Sequence, residues 1–231
     1  MATIINIETS TDVCSVSLTR DGEVLEHRED YEGRNHATRL SPFIDDVMKY
    51  ATSREIGIDA VSVSIGPGSY TGLRIGLSEA KGLAFGLGVP LIGVDTLKLL
   101  CVEVMFSKYV NDDVIFIPMI DARRMEVFTG AFDLSLTPLM PEQPMIVDEN
   151  SFARLIESGR TVLIFGNGSD KIIDIIKAPN VQHVSGIKPV AVSMMALSEL
   201  AFRKSEFIDV AYSVPNYLKE FQATTPKNKV L

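Results

Sequence analysis

Basic side chains are in short supply in this sequence of 231 residues: 22 lysines and arginines stand against 30 aspartates and glutamates, a formal net charge of −8. Affinity for nucleic acid comes from clustered Lys and Arg, so the balance argues against a protein that holds nucleic acid by itself. Lys227 and Lys229, in the late stretch TPKNKVL, read as a solvated terminus rather than an RNA grip. Cysteine is scarce too. Cys14 and Cys101 lie far apart in apolar surroundings, and both read as small buried hydrophobes. Histidine numbers three, His27, His36 and His183, and none stands four residues from another or from a cysteine. Helical metal pairs need that spacing. No stretch approaches the ~18 apolar residues of a membrane span. MATIINIETS also lacks the basic start and apolar length of a signal peptide. The expectation is a cytoplasmic protein with no membrane partner, in which the NGS at 167–169 carries no glycan.

What the sequence does have is a well-patterned first half. TIINI, VCSVSLTR and EVLEHRE read as three strands, the last two joined by Asp21-Gly22, a strong hairpin dipeptide. Leu40, Phe43, Ile44, Val47 and Ala51 then recur at helical spacing. That helix starts either at Ser41-Pro42 or earlier at Asn35, with Pro42 inside it. AVSVSI is a buried strand, a helix covers 71–87, VPLIGV is a strand and TLKLLCVEVMF a helix. The order β-β-β-α-β-α-β-α predicts an α/β protein whose mixed sheet adds parallel strands through helical crossovers.

The second half is less regular. DVIFIPMID and MEVFTGAFD read as strands around Ala122-Arg123-Arg124, TVLIF as a strand, and 190–204 as one long helix. Pro138, Pro141 and Pro144 mark an extended connection that is neither helix nor central strand. A polar stretch near 105–113 divides the chain into domains 1–106 and 107–231.

One loop bears directly on chemistry. SIGPGSYTGLRIG, residues 64–76, has the strand–glycine loop–helix context of a phosphate grip. It lacks the Gly-Lys-Ser/Thr of a Walker loop, and Thr71 stands where a dinucleotide fingerprint needs glycine. In the helix that follows, Gly72, Gly76, Ala80 and Ala84 form a ridge of small residues. Such a ridge lets a neighbour approach closely; either the chain's own sheet or a partner's helix would fit.

Six segments, INIETSTDVCSVSL, SIGPGSYTGLRIGLSEAKGLAF, VPLIGVDTL, IDARRMEVF, FGNGSD and PNYLKEF, stand in the order and spacing of the TsaB (YeaZ) family, which the sequence resembles from Ile4 to Phe221. The resemblance implies an actin/Hsp70/sugar-kinase-like (ribonuclease H-like) fold of two related domains, each a mixed sheet flanked by helices. It implies a non-catalytic dimerisation subunit of the machinery that transfers threonylcarbamoyl to N6 of adenosine 37 in tRNAs reading ANN codons. The implied partners are the catalytic paralogue TsaD and the ATPase TsaE, with homodimerisation when alone and only indirect contact with tRNA. TsaD-like proteins carry a His-x-x-x-His pair whose positions here are Thr96 and Leu100, neither able to hold a metal.

The interface expected from the resemblance is His36, Arg39, Leu40, Phe43, Ile44 and Val47 on the first helix, with Leu73, Arg74, Leu77, Ala80, Lys81 and Ala84 on the second. Glu8, Thr9, Ser10, Gly66 and Gly68 would be a vestigial nucleotide or phosphate site. No tightly bound cofactor is expected, and ATP or ADP only in the assembled complex. The second phosphate loop of such folds is glycine-rich, whereas this chain has Asp121-Ala122-Arg123-Arg124: the two arginines could bind an anion themselves, and the plainer reading is a turn held by an Asp–Arg pair. The competing readings are a metal-dependent glycoprotease-like peptidase and a sugar-kinase-like ATPase.

Overall fold

The chain opens with three antiparallel strands, β1 (Thr3–Glu8), β2 (Cys14–Arg20) and β3 (Glu23–Asp30). The β2–β3 reversal falls at Asp21-Gly22, both at positive φ (54° and 81°), the two-residue geometry that matches strand twist. Helix α1 (His36–Ser53) crosses to β4 (Ala60–Gly66), and α2 (Tyr70–Leu87) crosses to β5 (Leu91–Asp95). Both added strands lie parallel to β1, giving the order β3-β2-β1-β4-β5. Of the two starts open for α1, the earlier is the one adopted, with Asn35 before the helix and Pro42 inside it. This computed structural model describes residues 2–219 except Arg34, Phe106 and Lys108. Lys227, Lys229 and the end of PNYLKEF lie outside the described residues.

After α3 (Thr96–Met105) the pattern repeats. Strands β6 (Val114–Asp121), β7 (Glu126–Phe132) and β8 (Pro138–Ile146) run antiparallel; α4 (Ala153–Ile156) follows, then β9 (Thr161–Phe165) and β10 (Val181–Val184). β9 joins β6 in parallel and β10 joins β9, giving β10-β9-β6-β7-β8. Read from β8, this is the topology of the first sheet again, so the two halves share one design. Two sequence expectations change here. The proline-rich stretch forms β8, tolerated because it is an edge strand. The single helix over 190–204 is instead a 3-10 turn, Ala191–Met194, followed by α5 (Met195–Arg203).

Core membership crosses the 106/107 line drawn from the sequence. Leu97, Leu100, Cys101 and Val104 of α3 pack with Phe116, Phe132 and Phe165 of the second sheet. Ala191, Met194 and Leu197 pack on Ile4, Ile92 and Val94 of the first sheet. Each half therefore contributes a helix to the other half's surroundings. Beyond α5 the chain continues as a strap: Ile208 N donates to Leu91 O at 2.9 Å and Asn216 N to Ile65 O at 2.7 Å. Among the described residues no helix is long and apolar enough to cross a membrane.

The small ridge of α2 faces the chain's own fold. Ala80 and Ala84 are buried, and a Cβ at Gly72 or Gly76 would collide with the Thr9 carbonyl oxygen or the Thr9 hydroxyl. Around Gly82, on the same helix, nothing lies within 4 Å. Gly72→Ala should therefore destabilise by about 2 kcal/mol despite alanine's better helix propensity. Gly82→Ala should stabilise by about 0.5–1 kcal/mol. Urea unfolding of both variants checks the pair, and a stabilised Gly72→Ala would contradict the close approach.

Candidate functional site

The glycine loop lies at the carboxyl end of β4, beside the end of β1, where open α/β sheets bind ligands. Here that place is filled by the chain. Ser69 N donates to Ser10 O at 2.7 Å, and Thr9 Oγ1 donates to Gly72 O at 2.8 Å. A Cβ at Gly68 would collide with the Ser10 carbonyl, and one at Gly66, with φ +115°, would meet Asn216 O at 2.8 Å. Ser69 Oγ accepts from Gly72 N at 3.2 Å and so caps α2. The glycines thus admit neighbouring backbone carbonyls, whose partial negative charge is the opposite of what an anion site offers.

Glu8 lies fully buried beneath the loop. Its Oε1 accepts from Ser10 N. Burial raises its pKa despite opposing hydrogen bonds from Ser10 and Ser64.

The two-helix surface differs from the expected one. Leu40, Ile44 and Val47 of α1, and Leu73, Leu77, Ala80 and Ala84 of α2, are all buried in the chain's own core. They hold the helices on the sheet and are not exposed as anchors, because the apolar periodicity that reveals a helix marks its inner face. His36 is also buried, donating from Nε2 to Thr11 O at 2.8 Å. Phe43 is partly buried against the core. Lys81 donates to Ala211 O at 3.0 Å and Ser213 O at 2.6 Å, pinning the strap. Arg39 is exposed and pairs with Asp30 at 3.0 Å.

What the helices present to solvent is an open groove of about 490 Å³ lined by Ala37, Tyr70, Thr71, Arg74, Ile75 and Glu79. Arg74 donates to Tyr70 Oη at 2.7 Å, and Tyr217 of the strap stacks on Tyr70 with centroids 5.1 Å apart. Ser41 Oγ bridges the helices by donating to Glu79 at 2.8 Å. Outward positions lie between the apolar ones, so pattern reading passed over all of these except Arg74.

The Asp121–Arg124 turn is also held differently. Asp121 accepts from Lys171 at 2.5 Å and from Arg123 N at 2.9 Å. Lys171 further donates to Arg124 O and Glu126 O, so a lysine ties the turn that an Asp–Arg pair was expected to hold. Arg123 and Arg124 both take positive φ, 71° and 53°, at a cost of about 1–2 kcal/mol each for side chains with a Cβ.

Thr96 and Leu100, the positions set against the expected histidine pair, both lie in the interior. Leu100 is buried in the second core, with its Cδ1 against Gly166, and Thr96 is fully buried. Among the described residues no group of three His, Cys, Asp or Glu is placed to hold a metal ion. Nearby, an acid pair that the sequence did not single out links the halves: Asp95, ending β5, and Glu142 on β8. Asp95 Oδ1 accepts from Lys98 N at 2.9 Å. Burial, the Asp95 charge and a hydrogen bond with Asp95 hold the Glu142 carboxyl up at about 8, opposed by Lys98. Burial raises Asp95 as well. From the ordinary 4.5 up to about 8 the folded protein keeps a proton that the unfolded chain has lost. Stability from this group is full at low pH and falls as pH rises through that window. Glu142→Gln should flatten this fall, making the variant relatively more stable above pH ~8. Urea unfolding of both proteins across that range checks it, and parallel curves would contradict the shared proton.

Comparison with known proteins places this geometry. The family model for TsaD, tRNA N6-adenosine threonylcarbamoyltransferase, matches residues 26–227. The tRNA threonylcarbamoyladenosine biosynthesis protein TsaB of Bacillus subtilis is 30% identical over 230 residues, 96% of each chain. Its Escherichia coli counterpart is 28% identical over 221 residues, 94% of each. A solved Pseudomonas aeruginosa protein, described as similar to peptidase YEAZ, superposes with a TM-score of 0.82 at 25% identity, covering 95% of this chain and all of that one. The two mixed sheets flanked by helices are those of the actin/Hsp70/sugar-kinase-like fold.

Proposed function

We propose, from the premise that this chain belongs to the TsaB (YeaZ) family within the wider TsaD family, that it is the non-catalytic pairing subunit of a tRNA threonylcarbamoyl-transfer complex. Membership itself gives it a part in tRNA threonylcarbamoyladenosine biosynthesis. The finer role is a docking one: the chain pairs with a TsaD-type catalytic paralogue, with a TsaE-type ATPase joining the pair. Alone it forms a homodimer through the same face. It acts in the cytoplasm, binds no cofactor tightly by itself, and meets ATP or ADP only in the assembly.

The observation that carries this reading is the core packing of Leu100 and the full burial of Thr96. A metal-assisted transfer site needs open ligand positions, and these two are built into the hydrophobic interior. The filled glycine loop supports the same view for phosphate. The pairing surface is the open groove between α1 and α2, with Thr71 and Ser78 exposed in its lining and Arg39 and Arg74 on the exposed helix faces. Two related folds can meet there pseudo-symmetrically, since a shared helix pair offers each partner the same surface.

Thr71→Arg with Ser78→Arg, both exposed residues of the groove lining, should leave unfolding unchanged within ~0.5 kcal/mol. The same double variant should weaken pairing with the paralogue at least about a hundredfold. Size-exclusion chromatography and calorimetry of the purified pair measure this; undiminished pairing would remove the groove from the interface. Depletion in the source cell, followed by mass spectrometry of tRNA nucleosides, tests the pathway. The modified adenosine should disappear, and an unchanged level would overturn the assignment.

A further inference from the structure

The turn between β6 and β7 has a feature that pairing does not use. Arg123 and Arg124 are exposed at its tip, both in left-handed backbone, where hairpin turns usually carry Asn-Gly. Neither guanidinium has a hydrogen-bond or ion-pair partner among the described residues. Their acidic neighbours are already neutralised. Asp121 is bound by Lys171 at 2.5 Å, and Glu126 by Lys219 of the strap at 2.5 Å. Four bases against two acids leave a local excess of two positive charges on a protein whose net charge is −8. Two residues before Lys219, Tyr217 lies stacked on Tyr70, and both rings are partly exposed.

We propose that the Arg123-Arg124 tip is an RNA-phosphate contact, through which this subunit touches the tRNA directly. The inference rests on the function proposed above. It departs from the expectation that tRNA is met only indirectly. Guanidinium forks suit phosphate oxygens, and the Lys171 brace fixes their turn before any ligand arrives. A hairpin tip is convex, which suits a passing backbone, whereas a free nucleotide seeks a concave pocket. Two residues along the strap from Lys219, the tyrosine pair adds a face on which an unpaired base can stack. Unfavourable backbone at two adjacent arginines, where glycine would relax the turn, is accounted for by what their side chains do.

The test is the double variant Arg123→Asn, Arg124→Gly, which removes both charges and relaxes the turn. Its Tm should equal or exceed that of the parent by a few degrees, so a loss of binding cannot come from misfolding. Fluorescence anisotropy with a labelled, unmodified tRNA transcript is read for the full chain alone and paired with its TsaD-type paralogue, between about 50 and about 200 mM salt. The variant should bind about tenfold more weakly at low salt, with the slope of log affinity against log salt reduced by about two. Pairing, measured by size exclusion, should be unaltered. Unchanged affinity and slope with pairing intact would overturn the inference and leave the proposed function standing. Loss of pairing in the variant would overturn it in favour of a protein contact, and an effect on ATP binding alone would do so in favour of a nucleotide. If the parent chain does not pair at all, the proposed function fails, and the anisotropy of the chain alone still decides this contact.

Discussion

The contact between the β1–β2 connection and the start of α2 governs much of this molecule. The Thr9 and Ser10 carbonyls sit against Gly72 and Gly68, where a Cβ would find no room. Ser69 N and the Thr9 hydroxyl tie the two segments together. Because α2 is held this close to β1, its next turns place Leu73, Leu77 and Ala80 in the core. Its outer face then borders α1 as a groove. The strap follows the same anchor, since Asn216 reaches Ile65 beside Gly66 and Tyr217 stacks on the first residue of α2. Glycine here serves close backbone approach.

The second half repeats the arrangement in weaker form. After β9, Gly166 and Gly168 press against Met119 O and the Ile120–Asp121 peptide, as Gly68 presses against Ser10. Gly168 N donates to Met119 O at 3.0 Å, and Asn167 accepts from Asp121 N at 2.9 Å. The duplication therefore includes the packing of glycine loops as well as strand order. The β6–β7 turn departs from its counterpart. The longer β1–β2 connection folds down onto its glycine loop, while the short turn at Arg123-Arg124 stands clear and is braced by Lys171.

Sequence patterning was informative where one residue type had one physical meaning. Asp21-Gly22 marked a turn, and the alternation of apolar and polar residues marked strands. The spacing of Leu40, Ile44 and Val47 marked a helix. Those same three residues lie in the core rather than on the expected partner surface, because helical periodicity identifies the face toward the core and says little about the other. The groove residues Ile75 and Glu79 carry no periodic signal of their own. Asp95 and Glu142 escaped notice for another reason: they are neighbours only because β5 and β8 come from different sheets, and proximity of that kind leaves no local trace. The prolines of β8 correctly excluded a central strand, yet an edge strand can accommodate them.

The exchange of helices between the halves bears on how the two sheets are held relative to one another. α3 follows the first sheet in sequence but packs its apolar face on the second, while the 3-10 turn and α5 return from the second to the first. Ser17 Oγ donates to Ala191 O at 2.9 Å and Ala191 N donates to Ser15 Oγ at 2.9 Å, so the returning segment is bonded to β2 as well as packed on it. A hinge between two sheets joined by one linker would let them rotate freely. Two helices packed in opposite directions, a strap from Leu91 to Glu126 and the Asp95–Glu142 hydrogen bond all oppose that rotation. A kinase-like fold needs its cleft to open and close around a nucleotide. In this chain the parts that would move are fastened to one another, which holds the two sheets in one arrangement.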